Sequence, residues 1–437
     1  MSDISRLNLE QWLEKIEKQH PSDIEFGLDR IEKVARSIGN DFYHWLKHPN
    51  EQVVLIGGTN GKGTTVAIVE RLCLDSDLSV FSYTSPHLLC FNERFRLNGE
   101  QVTDQQLLQV FNLIESSRGS IQLTFFEYTT LAAFLIAFEN DLDVLLLEIG
   151  LGGRLDAVNL IEPDISVITS ISIDHTDWLG QSLIDIAEEK LAIARKNKKL
   201  ILADNKLSVE MLKIAQNSGA ECLLLGKDFY IEEKDTAIEV KIQAKNNSAK
   251  HYLVEKSLSV HVNNLAGALT TAIHLQINLD EIQLSDLLSN IVLPGRFEEI
   301  STIPHIIVDV SHNEQAISSL SRRIKKFKGP IYLVCGMLKD KAIKQSLKAL
   351  SGSGYQWILC DLSTARGARA RYIQQQLPQN EQVKCMSDVE SALKLAISKA
   401  KNQGSIIVFG SFLTVEAAFR SFQQTIDQYK LTESGLK

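Results

Sequence analysis

Val53-Val54-Leu55-Ile56-Gly57-Gly58-Thr59-Asn60-Gly61-Lys62-Gly63-Thr64-Thr65 decides how the rest of the chain is read. Four apolar, mostly β-branched residues predict a buried strand, and Val66 to Leu74, after the Gly-rich turn, predict a helix. Such a turn lets successive N–H groups point inward at an anion, and the helix N-terminus adds the positive end of its dipole. Lys62 supplies a point charge for outer phosphates, and the hydroxyl just after it suits Mg²⁺. The stretch predicts a nucleoside triphosphate site. It departs from the general phosphate-loop pattern, because three residues instead of four separate Gly57 from Gly61 and Gly63 intervenes between Lys62 and Thr64. A plain Gly-rich turn is the alternative reading of this stretch taken alone.

Outward from the loop, short apolar runs alternate with helix-length amphipathic segments. Ser79–Tyr83, Asp143–Glu148, Ile165–Ser170 and Lys199–Leu202 are strand candidates with helical patterns between them. That alternation predicts an α/β fold with a mostly parallel sheet covered on both faces. From Leu223 to Val262 the texture changes, and Ile238-Glu239-Val240-Lys241-Ile242 predicts an antiparallel meander. Leu293-Pro294-Gly295-Arg296-Phe297 marks a domain boundary, after which the alternation restarts at His305–Val310, Ile331–Cys335, Trp357–Cys360 and Ile406–Phe409. The expectation is a large nucleotide-binding domain over 1–297 and a smaller doubly wound α/β domain over 298–437.

Bulk properties narrow the function class. At 437 residues the chain exceeds one ordinary core. A net charge of −8 argues against nucleic acid as the main partner, which needs clustered Lys and Arg. The longest uncharged apolar stretch, Tyr128 to Phe138, is too short for a membrane span. The N-terminus mixes acids, bases and apolar residues, as an amphipathic helix does and a secretion signal does not. Cys73, Cys90, Cys222, Cys335, Cys360 and Cys385 show no paired spacing and are expected to be reduced, mostly buried thiols. A cytoplasmic monomer acting on small molecules, without membrane or nucleic acid, is expected.

Polar strings follow several strand candidates. Thr84-Ser85-Pro86-His87-Leu88 follows one, Glu148 through Asp156 another, and Asp174-His175-Thr176-Asp177-Trp178-Leu179-Gly180 a third. Each places oxygen donors or an imidazole at a strand end, where ligands of such folds bind. Taken singly, Ser85 reads as a helix cap, Glu148 as a surface acid and His175 as a loop histidine. Taken together with Gly58 to Thr64, Phe126-Glu127-Tyr128 and Leu293 to Phe297, the strings resemble the dihydrofolate synthase/folylpolyglutamate synthase family, relatives of the Mur ligases, in order and spacing over nearly the whole chain.

The resemblance implies an ATP-dependent amide ligase adding L-glutamate to dihydropteroate and to reduced folates through an acyl phosphate. A single-activity folylpolyglutamate synthase, another Mur-type ligase and a catalytically inert nucleotide-binding regulator are the rivals. Gly58, Thr59, Asn60, Gly61, Lys62, Gly63 and Thr64, with Asn264, Arg296 and Asp309, would bind ATP. Ser85 and Glu148 would hold one Mg²⁺; His175 with Lys190, a lysine carbamylated in the family, would hold a second, and a monovalent cation is a further candidate. Lys62, His175, Lys190 and His312 carry the catalytic expectation. Thr124, Phe125, Phe126, Glu127, Leu155, Asp156 and Ala157 would form the pterin pocket, and His312 and Ser411 the glutamate side. Two departures fall near that side: Ser311 and Glu314 stand where the family has Ala and Pro, and Leu413 where it usually has His.

Overall fold

The computed structural model describes residues 7–20, 25–243, 249–257, 259–282, 284, 287–291, 293–401 and 403–422. These divide into two compact units: one contains the first 171 residues and Ser182–Val292, the other Ser172–Gln181 and the chain from Leu293 onward. A contiguous split at 297 therefore misplaces two pieces. The linker Leu293 to Phe297 groups with the second unit because Phe297 N–H donates to Asp309 Oδ2 at 2.9 Å and Val310 N–H to Gly295 O at 2.9 Å. Ser172–Gln181 joins it through side-chain contacts that no local pattern announces.

The first unit is built on an eight-stranded sheet of order β4-β3-β2-β5-β1-β6-β7-β8. Its strands are β1 (Gln52–Gly57), β2 (Val80–Tyr83), β3 (Phe95–Leu97), β4 (Glu100–Gln101), β5 (Val144–Glu148), β6 (Ile165–Ile168), β7 (Lys199–Leu202) and β8 (Glu221–Leu224). Pairings from β2 through β8 are parallel, while β3 and β4 run antiparallel at one edge. Central strands covered on both faces read as continuous apolar runs, and Val53, Val54, Leu55 and Ile56 are accordingly 0% exposed. The helix Phe125–Phe138 is apolar all round and buried along nearly its whole length, as a helix inside a large core must be. The expected meander is a separate antiparallel sheet of β9 (Phe229–Glu233), β10 (Ala237–Gln243) and β11 (Ala249–Glu255).

The N-terminal helix Leu9–Gln19 docks Trp12 and Ile16 into this core and is pinned by Lys15 Nζ on Glu115 Oε1 at 2.8 Å. Burial alone would raise the Glu115 carboxyl, but Arg118 and Lys15 outweigh it and bring it from 4.5 to about 2. A depressed acid contributes stability above its unfolded value and loses it as pH falls through its folded one. Glu115→Gln is therefore expected to cost roughly 1–3 kcal/mol at neutral pH. The gap to the parent protein should close as pH falls from 4.5 towards about 2, as read from denaturant midpoints; a pH-independent gap would contradict the assignment.

The second unit carries a six-stranded sheet of order β12-β13-β17-β14-β15-β16. Its members are β12 (Glu298–Thr302), β13 (His305–Asp309), β14 (Ile331–Cys335), β15 (Gln356–Cys360), β16 (Gln382–Met386) and β17 (Ser405–Phe409). Only β12 is antiparallel. Ile307, Leu333, Trp357 and Phe409 face helices that contribute Ile317, Leu320, Ile324 and Ile373 to one core. Cys73, Cys335 and Cys360 are buried, and desolvation pushes the Cys73 and Cys360 thiols up to about 12. Cys90 and Cys385 are exposed, so the thiols are not mostly buried as a set.

Candidate active site

The Gly-rich turn leaves β1 and enters the helix Lys62–Leu74. Its N-cap is Gly61, whose φ of 89° lies in the left-handed region. A Cβ on Gly61 would come within 2.2 Å of the Asn264 amide, so the turn and that side chain meet closely. The turn does not cradle an anion along its whole length. Thr59 N–H donates to Ser170 O at 2.8 Å and Asn60 N–H to Ser170 Oγ at 3.0 Å, which ties the loop to the end of β6. The donors left for phosphate are those of the helix start, Gly61 to Thr64, since the first helical N–H groups have no acceptor within their own helix. Gly61→Ala is expected to cost about 1–3 kcal/mol of stability and to weaken ADP binding. Thermal melting and ADP titration check this, and parent-like values in both would contradict it.

Two lysines converge on the same carbonyl. Lys62 Nζ donates to Gly58 O at 3.1 Å and to Thr59 O at 3.4 Å, and Lys190 Nζ donates to Gly58 O at 3.2 Å. Lys190 is 5% exposed. Two ammonium groups so close repel one another in a poorly screened setting, and a polyphosphate, or conversion of one amine to an anion, relieves that repulsion.

Glu148 ends β5, is buried, and accepts the Ser85 N–H on Oε2 at 3.1 Å. The same Oε2 lies 3.4 Å from where a Gly63 Cβ would stand. A carboxylate and a hydroxyl-bearing residue therefore flank the start of the phosphate helix. Mg²⁺ takes few protein oxygens and completes its shell with phosphate and water, so Ser85 and Glu148 fit it. Among the described residues no cluster of three or more His, Cys, Asp or Glu forms a ready-made metal cage. His175 and Lys190 belong to different units, His175 in Ser172–Gln181 and Lys190 in the helix Leu183–Leu191.

The pterin-assigned residues gather within the first unit. Thr124 caps the helix Phe125–Phe138: its N–H donates to Glu127 Oε2 at 2.8 Å and its hydroxyl accepts Glu127 N–H at 3.2 Å. Phe126 packs against Gly150, where a Cβ would come within 2.5 Å of the ring. Asp156 is buried, which lifts its carboxyl to about 6 even though the Leu151 and Val158 N–H groups donate to it. Ala157 is buried while Leu155 is 41% exposed. Sequence reasoning missed two arginines here. Arg30 pairs with Glu127 at 3.1 Å and also with Glu25. Arg94 donates to His87 Nδ1 at 2.9 Å and lies over the Phe91 and Phe125 rings at 5.7 and 5.5 Å. Neither has a local spacing signal, because each finds its partners through the fold.

In the second unit Asp309 is buried with both oxygens engaged: Oδ2 takes Phe297 N–H, and Oδ1 takes the Ser311 N–H at 2.8 Å and the Ser311 hydroxyl. Ser311, the first departure, thus braces Asp309. Glu314 is exposed in the first turn of the helix Glu314–Ile324, where an anion favours the dipole. Arg296 stacks over Phe412 at 5.1 Å. Ser411 acts as a cap, its hydroxyl accepting Thr414 N–H at 3.1 Å and lying 2.7 Å from Thr414 Oγ1. His312 Nδ1 lies 2.8 Å from Val310 O, and its Nε2 is 3.5 Å from Asp174 Oδ2. Lys341, absent from the expected site, also reaches Asp174, at 2.7 Å.

Residues 56–271 match the Mur ligase middle domain and residues 295–412 the Mur ligase glutamate ligase domain, so fold and site define a Mur-type ligase. A dihydrofolate synthase/folylpolyglutamate synthase of Buchnera aphidicola subsp. Acyrthosiphon pisum is 36% identical over 410 residues, covering 93% of this chain and 97% of the relative. The chain belongs to the dihydrofolate synthase/folylpolyglutamate synthase family. Among solved structures, E. coli FolC in complex with DHPP and ADP superimposes with a TM-score of 0.88 at 33% identity, covering 98% of this chain and 99% of that one. A bifunctional folylpolyglutamate synthase/dihydrofolate synthase with Mn, AMPPNP and L-glutamate bound gives 0.84 at 33% identity, covering 96% and 99%.

Proposed function

We infer that this protein is an ADP-forming ligase that joins L-glutamate to dihydropteroate, giving dihydrofolate, and to reduced folates, giving polyglutamates. The observation that carries this reading is the near-full-length likeness to relatives named for both activities. The lysine-bearing phosphate loop supports it.

A carboxylate is a poor acyl donor. Its oxygen attacks the γ-phosphorus of ATP, the bond to the bridging oxygen breaks, and ADP leaves an acyl phosphate. The glutamate amine then attacks the acyl carbon, the C–O bond to phosphate breaks, and the amine gives up a proton as the amide forms. No side-chain nucleophile is required, so the enzyme's task is positioning and charge stabilisation. Lys62 and the helix start would bind the phosphates, with Asn264 closing on Gly61. Arg296 and Asp309 are the nucleotide contacts proposed for the second unit.

Ser85 and Glu148 would hold Mg²⁺, which when bound offsets the charge of the phosphates. Lys190, as a carbamate, would turn from a competing cation into an anionic ligand, and His175 is proposed as the imidazole ligand of a second cation. Thr124 to Glu127 and Leu155 to Ala157 would bind the pterin, and His312, Ser411 and Lys341 would serve the glutamate side. A cytoplasmic monomer remains the proposed setting. Among the described residues no helix is long and apolar enough to cross a membrane.

The test supplies ATP, Mg²⁺ and L-glutamate with either dihydropteroate or tetrahydrofolate. ADP and a product heavier by one glutamyl residue are expected with each. Product from only one substrate would restrict the protein to a single activity, and product from neither would overturn the reading.

A further inference from the structure

Asp174 sits behind the strand-end rim of the second unit with its carboxylate fully engaged. It is 9% exposed. Oδ1 accepts Lys341 Nζ at 2.7 Å and the His175 N–H at 2.8 Å. Oδ2 accepts Asn313 Nδ2 at 2.9 Å and lies 3.5 Å from His312 Nε2. The Lys341 side chain is only 5% exposed and its Nζ also stands 3.2 Å from His175 Nε2. An ammonium buried this deeply needs a fixed counter-charge, and Asp174 provides it. His312 is held at its other nitrogen by Val310 O at 2.8 Å, so Asp174 completes the orientation of the ring. Asn313 caps the next helix through Ala316 N–H at 3.0 Å, which ties the same carboxylate to the helix start.

His312 follows β13 and Lys341 follows β14, in the part of the chain that matches the glutamate ligase domain. A dicarboxylate needs cations at such a rim. Resting on the functional reading above, we propose that Asp174 is the positioning residue of the glutamate side: it keeps the Lys341 ammonium in place and orients His312, and so sets the affinity for the incoming amino acid.

The test is a set of steady-state constants for the parent protein, Asp174→Asn, Lys341→Met and their double variant, with ADP affinity measured separately by titration. Asp174→Asn is expected to raise KM for glutamate about tenfold or more, with ADP affinity within about twofold of the parent. Because part of the effect of Asp174 runs through Lys341, the double variant should lose clearly less than the product of the two single effects. Asp174→Glu retains the charge and should recover part of the loss; it also serves if Asp174→Asn does not fold.

A parent-like glutamate KM in Asp174→Asn would overturn the proposal. So would effects that multiply in the double variant, or a parallel loss of ADP affinity, which marks a purely structural anchor. If the parent protein forms no amide with glutamate, the functional reading fails and the proposal with it; if it does and these splits are absent, the proposal alone fails.

Discussion

Lys62→Ala is expected to abolish both ligations while the protein still melts as the parent does. Lys62 Nζ is held by the Gly58 and Thr59 carbonyls at 3.1 and 3.4 Å, at the mouth of the helix that begins with it. Its charge is therefore fixed beside the phosphate donors before any nucleotide arrives. Removing a preorganised charge from a phosphoryl-transfer site costs roughly 10²-fold or more in turnover. Fold stability should hardly change, because the side chain is only partly buried and its bonds are to loop carbonyls. Relief of the repulsion with Lys190 works in the same direction. Turnover above a few per cent of the parent, measured as ADP release with dihydropteroate and glutamate, would contradict the assignment.

Glu148→Gln is the second change with a large expected effect. The substitution preserves shape and an acceptor for the Ser85 N–H, whose bond to Oε2 is 3.1 Å. It removes the negative charge that a hard cation requires. Turnover at ordinary Mg²⁺ should fall by about 10²-fold or more. Part of the loss should return at much higher Mg²⁺, since the defect is one of affinity. Melting temperature without nucleotide should not fall, because a carboxylate buried beside β5 is replaced by a neutral amide of the same size. Unchanged turnover across a Mg²⁺ titration would remove Glu148 from the cation site.

The stretch from Val53 to Thr65 was legible because its two signals are local: a β-branched run and the glycines that follow it. The same holds for Lys199–Leu202 and for Ile331–Cys335, which are strands with the predicted bounds. What the sequence did not yield depends on distant partners. The Thr59 and Asn60 N–H groups looked like anion donors, yet they are taken by Ser170, which only the pairing of β1 with β6 brings alongside. Asp174 looked like one member of a polar string; its partners Asn313 and Lys341 lie 139 and 167 residues away. Ser411 entered the expected site through the family resemblance alone, and that its hydroxyl also caps the following turn at Thr414 becomes visible only in the structure. β16 was not predicted because an edge strand with Gln382, Lys384 and Cys385 exposed carries no continuous apolar run. The residues of the helix Phe125–Phe138 proposed for the pterin side were singled out through family resemblance, whereas Arg30 and Arg94 became visible only through their contacts with Glu127 and Phe125.

The central claim is ATP-driven amide formation through an acyl phosphate, and one isotope measurement tests it most directly. Dihydropteroate labelled with ¹⁸O in both carboxylate oxygens is incubated with the protein, ATP, Mg²⁺ and L-glutamate, and the released phosphate is weighed by mass spectrometry. Activation places one carboxylate oxygen in the bridge to phosphorus, and attack by the amine carries that oxygen away with phosphate. The account predicts one ¹⁸O in each phosphate released per dihydrofolate formed. Dihydrofolate accompanied by unlabelled phosphate would contradict it.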